Sequence, residues 1–180
     1  MKLPSYLDFA FLLAALPPRE PKGGKPIEVE HEDFKLSLLA PAMPGMPFRP
    51  LGYLLLAWIG AEAVRRETRE LGSSLSKLCK SLGAPELAEN PALIEDQLVR
   101  LAQVTVKVEL PPGKKLTRTA RFPLLSELVL ETEAPEAGYK WQIRISGDFY
   151  DILKHTAPAA IPKAKKLLAA EKTEETTEVP

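Results

Sequence analysis

The chain has 180 residues, of which 45% are hydrophobic, and its 24 lysine and arginine residues balance 24 aspartate and glutamate residues. This length holds one domain with a hydrophobic core plus an extension, and the composition excludes a wholly disordered protein. One cysteine and two histidines exclude a disulfide framework and a structural zinc site. Because the net charge is zero, any DNA binding must come from a local charge asymmetry.

No apolar run approaches the roughly 20 residues that cross a bilayer, so we expect a cytoplasmic protein without a membrane partner. Proline is frequent, with 18 residues, whereas asparagine and glutamine are scarce. This composition indicates a thermophilic source.

The first 46 residues predict a helix and strand extension. The apolar run at residues 9–16 predicts a short amphipathic helix. Alternating apolar residues between positions 27 and 38 predict two strands, and the proline-rich residues 40–50 predict a loop.

Three helices are predicted next. Apolar residues at positions 54–64 cover nearly every helical face, which is typical of a central buried helix, and Gly72 is expected to end it. A serine at 73–74 is the expected N-cap of the second helix, which Gly83 ends. Asn90 is the expected cap of the third helix.

The hydrophobic period then changes from 3.6 to 2. Residues 104–110 alternate as in a half-buried strand, and further strands are expected near residues 124–130 and 141–145. A winged-helix module has three helices followed by a strand, a basic hairpin and a further strand, which is the order predicted here. In such a module the second and third helices form a helix-turn-helix. We therefore predict an α+β fold, namely a winged helix with a three-stranded antiparallel sheet and a basic wing at residues 111–121, plus the N-terminal extension.

This interpretation divides the chain into four parts. They are an extension at residues 1–46, the winged-helix domain at 47–156, a short linker or helix at 157–171 and a disordered acidic tail at 172–180.

Several short segments resemble plasmid RepA-type replication initiators in their order and spacing. They are Leu16-Pro17-Pro18-Arg19, Met46-Pro47-Phe48, Leu54 to Ile59, Glu62 to Arg65, Arg69 to Ser76, Leu82-Gly83, Asp96 to Leu101, Ile145 to Ile152 and Ala160-Ile161-Pro162. The resemblance spans about residues 9–168. It implies an initiator that binds repeated sites at a plasmid origin and is commonly built from two winged-helix domains, the first for dimerisation and the second for reading the repeats. After Leu167 the family would continue into the second domain, where this chain has an acidic tail, so we expect an N-terminal initiator domain or a short initiator.

Candidate DNA-binding residues follow from charge. Between positions 100 and 121 the chain has six basic residues and one acidic residue, Glu109. A segment with this charge attracts phosphates without reading bases. The alternative to phosphate contact is a solvated hairpin whose lysines only keep the protein soluble. The predicted contacts are Lys77 and Lys80 on the second helix, and Arg100, Lys107, Lys114, Lys115, Arg118 and Arg121 around the wing.

The third helix disfavours direct base reading. Glu95 and Asp96 lie at outward positions, and Glu86 and Glu89 precede the helix. Carboxylates near a helix start suit the helix dipole but repel phosphate. Two alternatives stay open: a transcriptional repressor with the same winged-helix fold, and a protein–protein dimerisation module without DNA contact, which the acidic third helix favours.

The remaining notable side chains favour structural roles. Arg65, Arg66 and Arg69 alternate with glutamates at ion-pair spacing, and Trp58 and Trp141 lie in apolar patterns. We find no catalytic constellation, cofactor motif or metal site, so no enzyme is predicted.

The strand pair near residues 27–38 lies outside the winged core, and an unpaired strand edge tends to find a partner. We therefore expect a two-fold homodimer. The predicted function is plasmid DNA replication initiation at an origin, with double-stranded DNA, a second copy and host replication proteins as partners.

Overall fold

The computed structural model describes residues 9–110, 119–131 and 140–156. Within these ranges the helices and strands are α1 Phe9–Ala15, β1 Ile27–Glu30, β2 Lys35–Leu39, α2 Leu51–Arg65, β3 Glu70–Ser74, α3 Leu75–Ser81, α4 Pro91–Gln103, β4 Thr105–Glu109, β5 Thr119–Pro123, β6 Leu125–Glu131, β7 Lys140–Ile145 and α5 at residues 147–156. Two short 3-10 helices lie at Lys22–Gly24 and Pro85–Glu89. None of these helices is long and apolar enough to span a bilayer.

The strands form two antiparallel sheets, so the α+β class is confirmed. The larger sheet has the order β1-β2-β4-β5 and the smaller sheet the order β3-β7-β6. In the smaller sheet Leu71 lies opposite Ile143, which in turn lies opposite Leu128. The module from α2 through β7, apart from the β4–β5 hairpin, is consistent with a winged-helix-like fold.

The predicted membership of the three-stranded sheet is wrong. β4 pairs with β2 and β5 in the larger sheet, where Val106 lies opposite both Leu38 and Phe122. The place beside β7 belongs to β3, a strand that the sequence pattern did not indicate because Gly72 and two serines favour a turn or cap. The strands on either side of the predicted wing therefore belong to another sheet, and the wing positions 111–118 lie outside the described residues.

The end of α2 also differs from the prediction. Gly72 lies in β3, and the helix ends after Arg65. The Thr68 N–H donates to the Ala63 carbonyl at 3.1 Å and the Glu67 N–H to the Val64 carbonyl at 3.3 Å, with Glu67 at a φ of 51°. This is the Schellman arrangement, in which the residue after the helix adopts a left-handed conformation.

The other predicted helix signals are confirmed in position. The Ser74 hydroxyl accepts a hydrogen bond from the Lys77 N–H at the start of α3, and Gly83, with a φ of 73°, ends that helix. Asn90 precedes Pro91 at the start of α4, but its side chain makes no capping hydrogen bond.

One hydrophobic core joins both sheets and the helices. α2 lies at its centre, with Leu55 and Ile59 fully buried, as its apolar faces predict. At Gly60 the missing side chain leaves room for Phe9 of α1 and Leu153 of α5, whose atoms lie 2.8 and 2.9 Å from where a Cβ would stand. The N-terminal helix and α5 are thereby held against α2.

Candidate nucleic-acid interface

Arg100 is built into the fold. The residue is only 9% exposed. Its guanidinium donates to Glu20 at 2.7 Å, to Asp96 at 2.8 Å and to the Met46 carbonyl at 3.3 Å. Burial by itself would lower the pKa of Arg100, but the hydrogen bonds and charges of Glu20 and Asp96 raise it overall. The side chain also lies over the Phe48 ring at 5.3 Å. Arg100 thus ties α4 to the segment before α2, and its cation is neutralised there.

Lys107 lies on the outward face of the larger sheet and is also neutralised. Its ammonium is 2.6 Å from a carboxylate oxygen of Glu109, and the hydrogen bond from Lys107 lowers the pKa of Glu109. On the neighbouring strand Lys35 forms a similar pair with Glu28 at 2.8 Å.

Unlike Arg100 and Lys107, Arg121 is not neutralised by a carboxylate of the described residues. It lies on β5, opposite Lys107 in the register, and its side chain is exposed. Among the described residues it has no ion-pair partner within 4.0 Å. Lys114, Lys115 and Arg118 lie in the β4–β5 connection, outside the described residues, so their predicted role stays a prediction.

Lys77 and Lys80 lie on α3 and are exposed. Lys77 also lines a groove of about 430 Å³ on the outward face of the smaller sheet, together with Lys140 of β7. Sequence reasoning missed Lys140 because a single lysine in an alternating strand carries no distinctive signal. Neither α3 lysine forms an ion pair with the described part of the chain.

The expected recognition helix, α4, offers little to DNA. It packs against α2 and β6, and the Gln97 side chain is buried and accepts a hydrogen bond from the Phe48 N–H at 3.1 Å. Leu93 is 49% exposed, and Glu86 and Glu89 are exposed in front of the helix. An apolar and acidic surface of this kind disfavours phosphate.

The β6–β7 connection has the position of a wing in the topology of the smaller sheet. Residues 132–139 lie outside the described residues, but their sequence contains Glu133 and Glu136 and no lysine or arginine. On the strands nearby, Arg144 is held between Glu70 at 2.9 Å and Glu127 at 3.4 Å. The basic connection is therefore the one in the larger sheet.

The arginines at the end of α2 serve the structure, as predicted. Glu62 accepts hydrogen bonds from Arg65 and Arg66, both at 2.7 Å, and the bond from Arg65 is the main cause that lowers the pKa of Glu62. Arg69 instead donates to the Ile145 carbonyl at 3.0 Å, which joins the residue before β3 to the end of β7.

The two tryptophans and the cysteine also lie in or against the core. Trp141 is buried and its ring meets the half-buried Trp58 ring at 5.6 Å. Burial raises the pKa of the Cys79 thiol. In the ranges that the structure describes, no three His, Cys, Asp or Glu side chains converge as a metal site would require.

Two solved structures resemble this fold. The crystal structure of RctB domains 2–3 aligns with a TM-score of 0.63 at 11% sequence identity, over 81% of this chain and 58% of that chain. A selenomethionine structure of RctB domains 2 and 3 aligns with a TM-score of 0.60 at 8% identity, over 86% of this chain and 68% of that chain. This chain thus spans 58% of the first of these structures.

RctB is a replication initiator, of Vibrio chromosome II. No protein-family model and no curated protein matches this sequence, so the resemblance to plasmid RepA-type initiators stays an expectation. At 8 to 11% identity, the likeness shows a shared fold over the aligned part of these structures.

Proposed function

We propose that this chain is a DNA-binding, dimer-forming winged-helix domain of a plasmid replication initiator, acting at an origin. The observation that carries the proposal is the likeness of its two-sheet fold to domains 2–3 of the initiator RctB over 81% of the chain. The order α2-β3-α3-α4-β6-β7, with β3, β7 and β6 in one sheet, supports a winged helix into which the β4–β5 hairpin is inserted.

We place the DNA contact on the β4–β5 hairpin. Arg100 and Lys107 are neutralised within the fold, so Arg121 and the three cations of the connection provide the charge on this hairpin. Phosphate contacts by such side chains are insensitive to base sequence. Lys77 and Lys80 on α3 supply a second, weaker group of contacts.

The test is the salt dependence of duplex binding. Each cation that neutralises a phosphate contributes roughly −0.9 to the slope of log K against log salt. Replacing Lys114, Lys115, Arg118 and Arg121 together by alanine should weaken binding to all duplexes alike and flatten the slope by up to about three or four units.

A matched control removes exposed cations elsewhere. The variant Arg19→Ala/Lys22→Ala/Lys25→Ala changes three exposed side chains of the N-terminal extension, and we expect it to bind as the parent does. If the hairpin variant keeps the parent slope, the hairpin is only solvated surface and the DNA-binding proposal fails.

We propose that the dimer forms through the edge of β6 rather than that of β1. Both are edge strands, and an unpaired edge is a template for pairing. β1 has only four residues, two of which are glutamates. β6 is longer and exposes Val129. Light scattering that gives a monomer mass at micromolar concentration would contradict the dimer.

The second candidate function is a protein assembly module without DNA contact. The apolar and acidic surface of α4 favours it, because Leu93 is exposed where a recognition helix would meet bases. It predicts no salt-dependent retention of any duplex, which the same titration detects.

A further inference from the structure

The groove on the outward face of the smaller sheet lies beside the start of α3 and has a volume of about 430 Å³. Two cross-strand rows form its floor, namely Gly72, Gln142 and Val129 in one row and Ser74, Lys140 and Glu131 in the other. Because Gly72 has no side chain, the middle of the floor is bare backbone, and the Trp141 carbonyl lies 2.8 Å from where a Cβ would stand. Small-ligand sites have volumes of roughly 300 to 1,000 Å³, so the groove has room for a ligand.

Two lysines from different elements meet at one end of this groove. Ser74 lies opposite Lys140 in the register of β3 and β7, and its hydroxyl accepts the Lys77 N–H at 3.4 Å. Residues directly opposite each other have Cβ atoms roughly 5 Å apart, so Ser74 brings both lysines to the same end of the groove. Both lysine side chains are exposed, and neither forms an ion pair with a described residue.

The acidic side chains that line the groove leave these lysines partly uncompensated. Glu70 is held by Arg144 at 2.9 Å, in the row on the other side of Gly72. Glu131 also lines the groove and makes no ion pair within the described ranges. The uncommitted charges of the groove are therefore two ammonium groups against one carboxylate.

Two further side chains of the groove offer hydrogen-bond donors. Gln142 is exposed, and its amide has two N–H donors. Trp141 also lines the groove, and its Nε1–H is buried without an acceptor among the described residues. A buried donor without an acceptor is destabilising, so an acceptor that enters the groove satisfies a group that the fold leaves unpaired.

We propose that this groove binds a phosphate of the DNA backbone, held by Lys77 and Lys140 with the Gln142 amide beside them. The charge of a phosphate is complementary to the two ammonium groups, and its oxygens accept several hydrogen bonds at once. Lysine, serine and glutamine are among the side chains that contact DNA phosphates. This second contact rests on the proposed function, because it adds a site on the smaller sheet to the β4–β5 hairpin of the larger sheet.

The experiment measures duplex binding and groove occupancy separately in the full chain. The fluorescence anisotropy of a labelled duplex reports binding. Tryptophan emission reports occupancy of the groove, because Trp141 lines it and the other of the two tryptophans, Trp58, contacts the Trp141 ring. We expect saturating duplex to change the emission of the parent protein.

The variant Lys77→Ala/Lys140→Ala should flatten the salt slope by up to about two units. It should also lose the emission change while the hairpin still binds the duplex. The matched control Lys22→Ala/Lys25→Ala removes two exposed cations elsewhere and should keep both the parent slope and the emission change.

Two substitutions at exposed positions test the charge of the groove without removing a lysine. Gln142→Glu adds a carboxylate and should weaken duplex binding about two- to fivefold, whereas Glu131→Gln removes one and should strengthen binding by a similar factor. If both variants shift the affinity in the same direction, or if the lysine variant behaves as the control, the groove does not bind DNA.

Free phosphate compounds identify the source of the phosphate. An equal emission change with inorganic phosphate or deoxyadenosine monophosphate, at the same phosphate concentration, would assign the groove to free phosphate compounds and overturn the DNA contact. The hairpin variant with four alanines separates this contact from the proposed function. If it keeps the parent slope while the lysine variant loses the emission change, the hairpin proposal fails and the groove stands. If it flattens the slope while the lysine variant matches the control, the groove fails and the hairpin stands.

Discussion

Alanine variants of Arg100 and Arg121 distinguish an effect on stability from an effect on DNA binding. The sequence predicts DNA contact for both residues, but the structure buries Arg100 and exposes Arg121. Arg100 is 9% exposed and donates to Glu20, Asp96 and the Met46 carbonyl. Arg121 is exposed on the edge strand β5. Arg100→Ala should therefore lower the stability of the fold, whereas Arg121→Ala should weaken DNA binding.

The cost of Arg100→Ala follows from its contacts. The side chains of Glu20 and Asp96 are 54% and 42% exposed, so water replaces the lost donor and each pair contributes only about 0.5 to 1 kcal/mol. The Met46 carbonyl loses a donor, which costs about 1 kcal/mol, and the lost contact over the Phe48 ring adds about 0.5 kcal/mol. The total is a loss of about 3 kcal/mol in the free energy of unfolding, or a fall of about 6 to 12 °C in Tm.

Urea unfolding followed by tryptophan fluorescence measures the first effect, since the Trp141 ring is buried and in contact with that of Trp58. A salt titration of duplex binding measures the second. Arg121→Ala should stay within about 0.5 kcal/mol of the parent stability and flatten the salt slope by about 0.9. The reasoning is refuted if Arg100→Ala keeps the parent stability and flattens the salt slope as Arg121→Ala does.

Three further predictions concern stability. Glu67→Gly should raise the free energy of unfolding by about 0.5 to 1 kcal/mol, because glycine adopts the φ of 51° without the strain of a side chain; a less stable variant in urea unfolding would contradict the Schellman assignment. Gly60→Ala should cost about 1 to 2 kcal/mol, because its Cβ would stand 2.8 Å from the Phe9 ring in a core that resists overpacking; unchanged Tm would show that α1 yields. Glu62→Gln should be less stable than the parent at neutral pH and approach it in acid. Because the hydrogen bond from Arg65 lowers the pKa of Glu62, its contribution is present above the unfolded-state pKa and lost as pH falls through the folded-state pKa, and a difference between the two proteins that stays constant from pH 7 to pH 2 would exclude this linkage.

Local features of this protein are determined by the sequence. The apolar faces of α2, the Ser74 cap, the stop at Gly83 and the pairing of Glu62 with its arginines involve residues only a few positions apart. The period-2 alternation of β4 likewise predicts which of its side chains are buried. Such signals can be read from the sequence because helix and strand geometry repeat every few residues.

Only the tertiary structure decided which sheet β4 joins, that residues 70–74 form a strand, and that Arg100 is buried. Alternation states which face of a strand is covered but not which strand lies beside it. β3 has weak strand propensity and exists because β7 offers its edge. Arg100 pairs with Asp96 at a helical spacing that the sequence shows, but also with Glu20, 80 residues away along the chain. No spacing rule connects positions as distant as Glu20 and Arg100. Charge counting grouped six cations between positions 100 and 121, and the structure shows two of them, Arg100 and Lys107, in ion pairs with carboxylates. A buried or closely paired charge is stable only beside its partner.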